Sequence, residues 1–155
     1  MTKSLRGLIE PSRVLLDVPA TCKRSVLERL ADRAADSFGL PANEVHEKLQ
    51  ERERLGSTGV GSGIAIPHAR VQVDHLQGLV MRLRQPVDFE AIDGKPVDIV
   101  FLLLAPEADN ASHLKALSRV ARTFRMPGVV QALRGAGDAE AAYAALVAES
   151  DQAAA

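Results

Sequence analysis

The run Val97-Asp98-Ile99-Val100-Phe101-Leu102-Leu103-Leu104-Ala105 constrains the fold more than any other stretch of the chain. A strand with one wet face alternates apolar and polar residues. A near-continuous apolar run reads instead as a strand covered on both faces, and covering two faces of a sheet takes helices on each side. Pro106 ends the strand. The uninterrupted apolar part, residues 99–105, falls far short of the roughly 20 residues a membrane helix needs, so no membrane insertion is expected.

The remaining elements follow from periodicity and from Gly and Pro punctuation. Residues 14–18 read as a short strand. Pro19 and Thr21 lead into a helix in which Ser25 and Glu28 have capping-box spacing and Val26, Leu27, Leu30, Ala34 and Phe38 recur at helical intervals. Gly39 stops it and Pro41 follows. A second helix spans about 43–54, with Val45 and Leu49 inward, and Gly56 ends it. Residues 56–63 read as a loop, 64–66 as a short strand stopped by Pro67, and 79–83 as a half-buried strand with Leu79, Met81 and Leu83 on one face. Residues 87–89 suggest a short edge piece, and Asp93-Gly94 a turn. After Pro106, Asn110 or Ser112 can cap a helix whose expected inward stripe is Leu114, Leu117, Ala121 and Phe124. Met126-Pro127-Gly128 breaks it, 129–133 forms a short helix, and Asp138 caps a last one with Tyr143, Leu146 and Val147 inward. The expectation is an α/β single domain over residues 5–149, a mixed sheet flanked by helices, with 150–155 a frayed tail.

Composition excludes several classes of function. With a net charge of −1, 3% aromatic residues and no basic stripe, nucleic acid is not an expected partner. Cys22 is the single cysteine; no internal disulfide can form, which suits a reducing compartment. The first six residues lead to no apolar signal core. A cytoplasmic protein is expected.

Chemistry concentrates at Gly56-Ser57-Thr58-Gly59-Val60-Gly61-Ser62-Gly63-Ile64-Ala65-Ile66-Pro67-His68. Glycines at 56, 59, 61 and 63 allow positive φ and close approach, and successive amides in such a loop can point at an anion. No Gly-Lys-Ser/Thr follows, and the spacing is not a dinucleotide fingerprint. By spacing alone the signal is weak, and a flexible helix-to-strand connection is the better reading. His68, just past a short buried strand, is a candidate nucleophile: neutral imidazole can attack a phosphoryl donor. A plain hydrogen-bonded surface histidine is the alternative.

The stretch from Arg52 to His68 resembles the active-site signature of the fructose/mannitol/nitrogen class of phosphotransferase-system enzyme IIA domains. The likeness continues through Pro86-Val87-Asp88-Phe89-Glu90-Ala91-Ile92-Asp93-Gly94-Lys95-Pro96-Val97-Asp98, Leu102-Leu103-Leu104-Ala105-Pro106 and His113-Leu114-Lys115-Ala116-Leu117-Ser118, and covers about residues 8–147. Ser62 stands where the family often has Asn, Ala69 where it often has Gly, and Val60 for the commoner Ile. The resemblance implies a mannitol-type enzyme IIA fold. It implies that His68 accepts phosphate from a small histidine-phosphorylated carrier protein, that His113 and Arg52 help hold the phosphoryl group, and that no cofactor or metal takes part. Ser57, Thr58, Gly59, Gly61 and Gly63 are the expected phosphate-stabilising loop. A free-standing chain of this length is most like the nitrogen-regulatory type, whose phosphorylation state governs regulatory targets such as kinases or potassium transport regulators. A fructose- or mannitol-type enzyme IIA serving a sugar permease and a non-catalytic interaction domain are the alternatives.

His113 also has a reading of its own, near the start of a helix where amides favour an anion. Other residues suggest less. His46 sits among Glu44, Glu47 and Lys48 on an expected solvated face. His75 after Asp74 lacks further ligands at metal spacing. Cys22 near a helix start has no nucleophile's partners. Asp88, Asp93 and Asp98 read as turn acids, and Glu51-Arg52-Glu53-Arg54 as a solvated charge run.

Overall fold

A computed structural model describes residues 5–108 and 110–154, with side chains through residue 147. Its elements are β1 (Val14–Val18), α1 (Lys23–Phe38), α2 (Ala42–Arg54), β2 (Gly59–Gly61), β3 (Ile64–Ala65), β4 (His68–Val71), β5 (Gln77–Val87), β6 (Val97–Pro106), α3 (Asn110–Phe124), α4 (Pro127–Gly135) and α5 (Ala139–Ala154), with 3-10 turns at Leu5–Gly7 and Pro11–Arg13.

The strands form one mixed sheet ordered β1-β5-β6-β3-β2, with β4 also paired to β6. β5 and β6 are antiparallel, whereas β3 and β4 run parallel to β6. β6 is covered on both faces, as its apolar run requires. Val97, Val100, Leu102 and Leu104 pack under α1 and α2. Ile99, Phe101 and Leu103 pack under α3, α4, α5 and the N-terminal residues Leu5, Leu8 and Ile9. These N-terminal residues dock where Gly78 leaves room: a Cβ there would meet the Phe101 ring at 2.8 Å and Ile9 at 2.9 Å. Nothing in local periodicity signals that contact.

Several boundaries differ from expectation. β5 is no half-buried strand: it runs on to Val87, and Val80 faces the opposite core from Leu79, Met81 and Leu83. Residues 87–89 are its end and the buried Phe89, not a separate edge. Helix α1 begins at Lys23, two residues before Ser25. Cys22 is the extended N-cap, and the Ser25 hydroxyl accepts from the amides of Cys22 and Thr21. α3 begins at Asn110 itself, so neither Asn110 nor Ser112 lies outside it as a cap; residue 109 lies outside the described residues. Its buried stripe is His113, Ala116, Val120, Thr123 and Phe124, one position off the expected one, and Leu114 is 67% exposed. α4 is longer than 129–133, with Pro127 in its first turn. Asp138 does cap α5, accepting from the Ala141 amide at 2.8 Å. Of the expected frayed tail, residues 150–154 continue the α5 backbone, and residue 155 lies outside the described residues.

The glycine-rich segment is only partly loop. Gly59–Gly61 forms β2 and pairs with β3 through the two-residue turn Ser62-Gly63. Both turn residues have positive φ, 57° and 83°, the requirement of the hairpin turn whose twist matches its strands. The short strand stops before Pro67 as expected, but a further strand begins directly after it. Pro67 makes a jog: β3 pairs with Ile99 and Val100, the register breaks at 66–67 while the Pro67 carbonyl accepts from the Leu103 amide, and β4 continues beside Leu103 to Pro106.

Candidate active site

His68 opens β4 at the sheet's edge, between the two helical layers. Arg52 comes from the last turn of α2, on one layer. His113 comes from the first turn of α3, on the other. The structure therefore brings together three residues separated by up to 61 positions in sequence.

The His68 ring is held at both nitrogens. Nδ1 lies 2.9 Å from the Ile66 carbonyl, and Arg52 Nε lies 3.1 Å from Nε2. A carbonyl only accepts and a guanidinium only donates. The proton therefore belongs on Nδ1 and the lone pair on Nε2. Arg52 is anchored by a second bond, Nη1 to the Gly56 carbonyl at 2.9 Å, which closes the end of α2. The His113 ring is buried and meets the His68 ring edge to face, centroids 5.4 Å apart. Burial pushes the His68 pKa below its ordinary value, and the Arg52 charge adds to this; the Ile66 bond and the Glu53 charge act the other way. The ring is thus neutral and nucleophilic near pH 7.

His68 borders an open depression. Lys48, Glu51, Arg52 and Arg70 line it together with Leu55 and Leu114, which are 84% and 67% exposed. Its lining holds three cationic side chains and one carboxylate, with Arg52 the cation at Nε2 itself, so an anionic group there would be favoured.

The expected phosphate-stabilising loop behaves differently. Several of its polar groups bond within the protein. Ser57 Oγ donates to the Phe89 carbonyl and accepts from the Gly59 amide. Thr58 gives both its amide and its hydroxyl to Glu53. The Ser62 amide goes to Asp93. Gly59 is needed for close packing, since a Cβ there would lie 2.8 Å from that of Ala91. Gly61 and Gly63 face Asp93 and the Arg134–Asp98 pair. None of Ser57, Thr58, Gly59, Gly61 and Gly63 lines the depression around His68.

Glu53, read from sequence as part of a solvated run, is in fact shielded, its side chain 6% exposed and 2.8 Å from Lys23 Nζ. Only the three-dimensional packing of α1 against α2 reveals it. Of the other candidates, Asp88 and Asp93 are turn acids as expected, while Asp98 pairs with Arg134. His46 is half-buried rather than solvated, with Nε2 shielded from solvent. His75 is exposed beside Gln77. Among the described residues, no group of three or more His, Cys, Asp or Glu side chains could hold a metal ion, and no helix is long and apolar enough to cross a membrane.

Residues 7–149 match the family described as phosphoenolpyruvate-dependent sugar phosphotransferase system, EIIA 2. The nitrogen regulatory protein of Bradyrhizobium diazoefficiens is 44% identical over 143 residues, spanning 92% of this chain and 94% of that protein. The crystal structure of nitrogen regulatory protein IIA-Ntr from Neisseria meningitidis matches with a TM-score of 0.85 at 37% identity, over 90% of this chain and 97% of that one. IIA mannitol from Escherichia coli matches with a TM-score of 0.76 at 17% identity, over 89% and 98%, a likeness of fold alone.

Proposed function

The chain belongs to the EIIA 2 family of the phosphoenolpyruvate-dependent sugar phosphotransferase system, and from that premise we propose that it is a phosphocarrier whose acceptor atom is Nε2 of His68. The observation that carries the proposal is the pair of bonds on the ring, which leaves the lone pair on Nε2, facing Arg52 at the mouth of an open depression.

The donor is a small protein phosphorylated on its own histidine. The Nε2 lone pair forms the new N–P bond as the carrier's N–P bond breaks, and the departing imidazole keeps that electron pair. Little covalent work is required of the protein, so positioning and charge compensation dominate. Arg52 gives up its bond to Nε2 and turns its donors to the phosphoryl oxygens. His113, one ring's width away, supports the group from the α3 side. The Nδ1–H bond to Ile66 persists throughout and keeps the ring oriented.

The regulatory role, rather than sugar transport, is favoured by identity: 44% to the Bradyrhizobium nitrogen regulatory protein and 37% to IIA-Ntr, against 34% to a fructose-specific EIIA component. In this reading the phosphorylation state governs binding to regulatory targets such as kinases or potassium transport regulators. Labelling by a radioactive phosphorylated carrier tests the chemistry. His68→Ala should take no label and His113→Ala should label more slowly; normal labelling of the His68 variant refutes the site. Partners captured by the phosphorylated and unphosphorylated forms test the role, and a sugar permease subunit among them would overturn the regulatory reading.

A further inference from the structure

We propose that Glu53 is a positioning residue for His68, acting through Thr58 and the Ile66 carbonyl to hold the ring with its proton on Nδ1 and its lone pair on Nε2. Three contacts in series make the connection. The Glu53 carboxylate accepts from the Thr58 amide, at 3.1 and 3.2 Å from its two oxygens, and from the Thr58 hydroxyl. The Thr58 carbonyl accepts from the Ile66 amide at 2.9 Å. The Ile66 carbonyl accepts from His68 Nδ1 at 2.9 Å.

The middle of this series exists because of the jog between β3 and β4. Ile66 is not registered with β6, and Pro67, whose carbonyl accepts from the Leu103 amide, has no amide proton to offer. Ile66 therefore takes its support from residue 58, and its carbonyl is available to the ring two residues on. Ser57 and Gly59 tie the loop to Phe89 and Ala65, and between them both Glu53 oxygens accept from Thr58.

A shielded carboxylate is costly unless its charge is balanced. Lys23 balances it at 2.8 Å, reaching Glu90 at 3.4 Å as well. A role in joining α1 to α2 alone would need Lys23 and Glu53 but not the bonds to Thr58. Glu53 also adjoins Arg52 on α2, so the residue that grips the ring's Nε2 side and the one that fixes its Nδ1 side are consecutive.

This inference rests on His68 being the acceptor, yet its test reads the ring itself. The full-length protein is labelled with ¹⁵N on histidine, and the His68 Nδ1 and Nε2 shifts are recorded near neutral pH for wild type, Glu53→Ala, Glu53→Gln and Thr58→Val. Wild type should show the Nδ1–H form. Glu53→Ala should show mixed tautomers and a rate of phosphorylation lowered roughly tenfold, with the carrier KM changed by less than about twofold. Glu53→Gln, which keeps one accepting oxygen, should restore part of both; Thr58→Val should fall between. A folded Glu53→Ala protein with the wild-type tautomer and rate overturns the proposal. Should that variant fail to fold, wild-type tautomer and rate in both Glu53→Gln and Thr58→Val overturn it equally. If wild type takes no label, the proposed function fails, and the tautomer comparison still decides the role of Glu53.

Discussion

His68 is a residue under opposing influences. Desolvation and the Arg52 guanidinium disfavour its charged form, and the Ile66 hydrogen bond and the Glu53 carboxylate favour it; the balance lies below the ordinary histidine value. A proton on Nε2 would remove the nucleophile. The rate of phosphorylation should therefore stay level from pH 8 down to about 6.5 and fall only below the ordinary value. An NMR titration of the ring's carbon-bound protons gives the midpoint directly, and one at or above 6.5 contradicts this account. The same shift links to stability. The unfolded chain holds its proton at higher pH than the folded one, so the contribution of a neutral His68 is complete above about pH 6.5 and lost as pH falls toward the folded midpoint. His68→Ala should accordingly show a weaker acid-side loss in urea unfolding than wild type. At this scale the reach of the sequence was uneven. His68, Arg52 and His113 lie in motifs that resemble a family, and the structure brings all three together. Glu53 did not stand out, because a run of alternating charges does not say which member turns inward.

Elements fared differently according to how their faces are chosen. In α3 the apolar stripe expected from Leu114, Leu117, Ala121 and Phe124 competes with one through His113, Ala116, Val120 and Phe124. The second is buried. Turning His113 inward to meet His68 takes Leu114 outward to the rim. Val120→Ala should then cost about 1–3 kcal/mol as a buried methyl loss with its cavity, while Leu114→Ala should stay within about 0.5 kcal/mol. Chemical denaturation of the two variants checks the assignment, and the reverse order would contradict it. The glycine run shows the same lesson. Spacing left open an anion cradle or a flexible connection, and its glycines serve a tight hairpin and the close approach of Ala91. Whether a glycine serves a ligand or a neighbour depends on what lies against it, which spacing does not encode.

At the scale of the molecule, β6 joins both cores, and the site lies at its flank. Leu103 is fully buried in the α3–α5 layer, is registered with His68, and donates its amide to the Pro67 carbonyl. Leu103→Ala should lower stability by about 2–5 kcal/mol, measured by denaturant unfolding, because a close-packed layer relaxes only partly around a void. A loss below about 1 kcal/mol would mean the layer is looser than described. The fold class was legible from sequence because a strand apolar on both sides, punctuated by Pro and surrounded by 3.6-residue periodicity, has few packed solutions. Local chemistry likewise identified the helices and the Asp138 cap, whereas His68 stood out only through the family resemblance. What only the tertiary structure decided is non-local: the docking of Leu5, Leu8 and Ile9 on Gly78, the inward face of α3, the jog at Pro67, and the hydrogen bonds that run from Glu53 to His68. Each depends on which distant residue occupies the neighbouring space, and burial and hydrogen bonding are properties of that neighbourhood rather than of a residue's position along the chain.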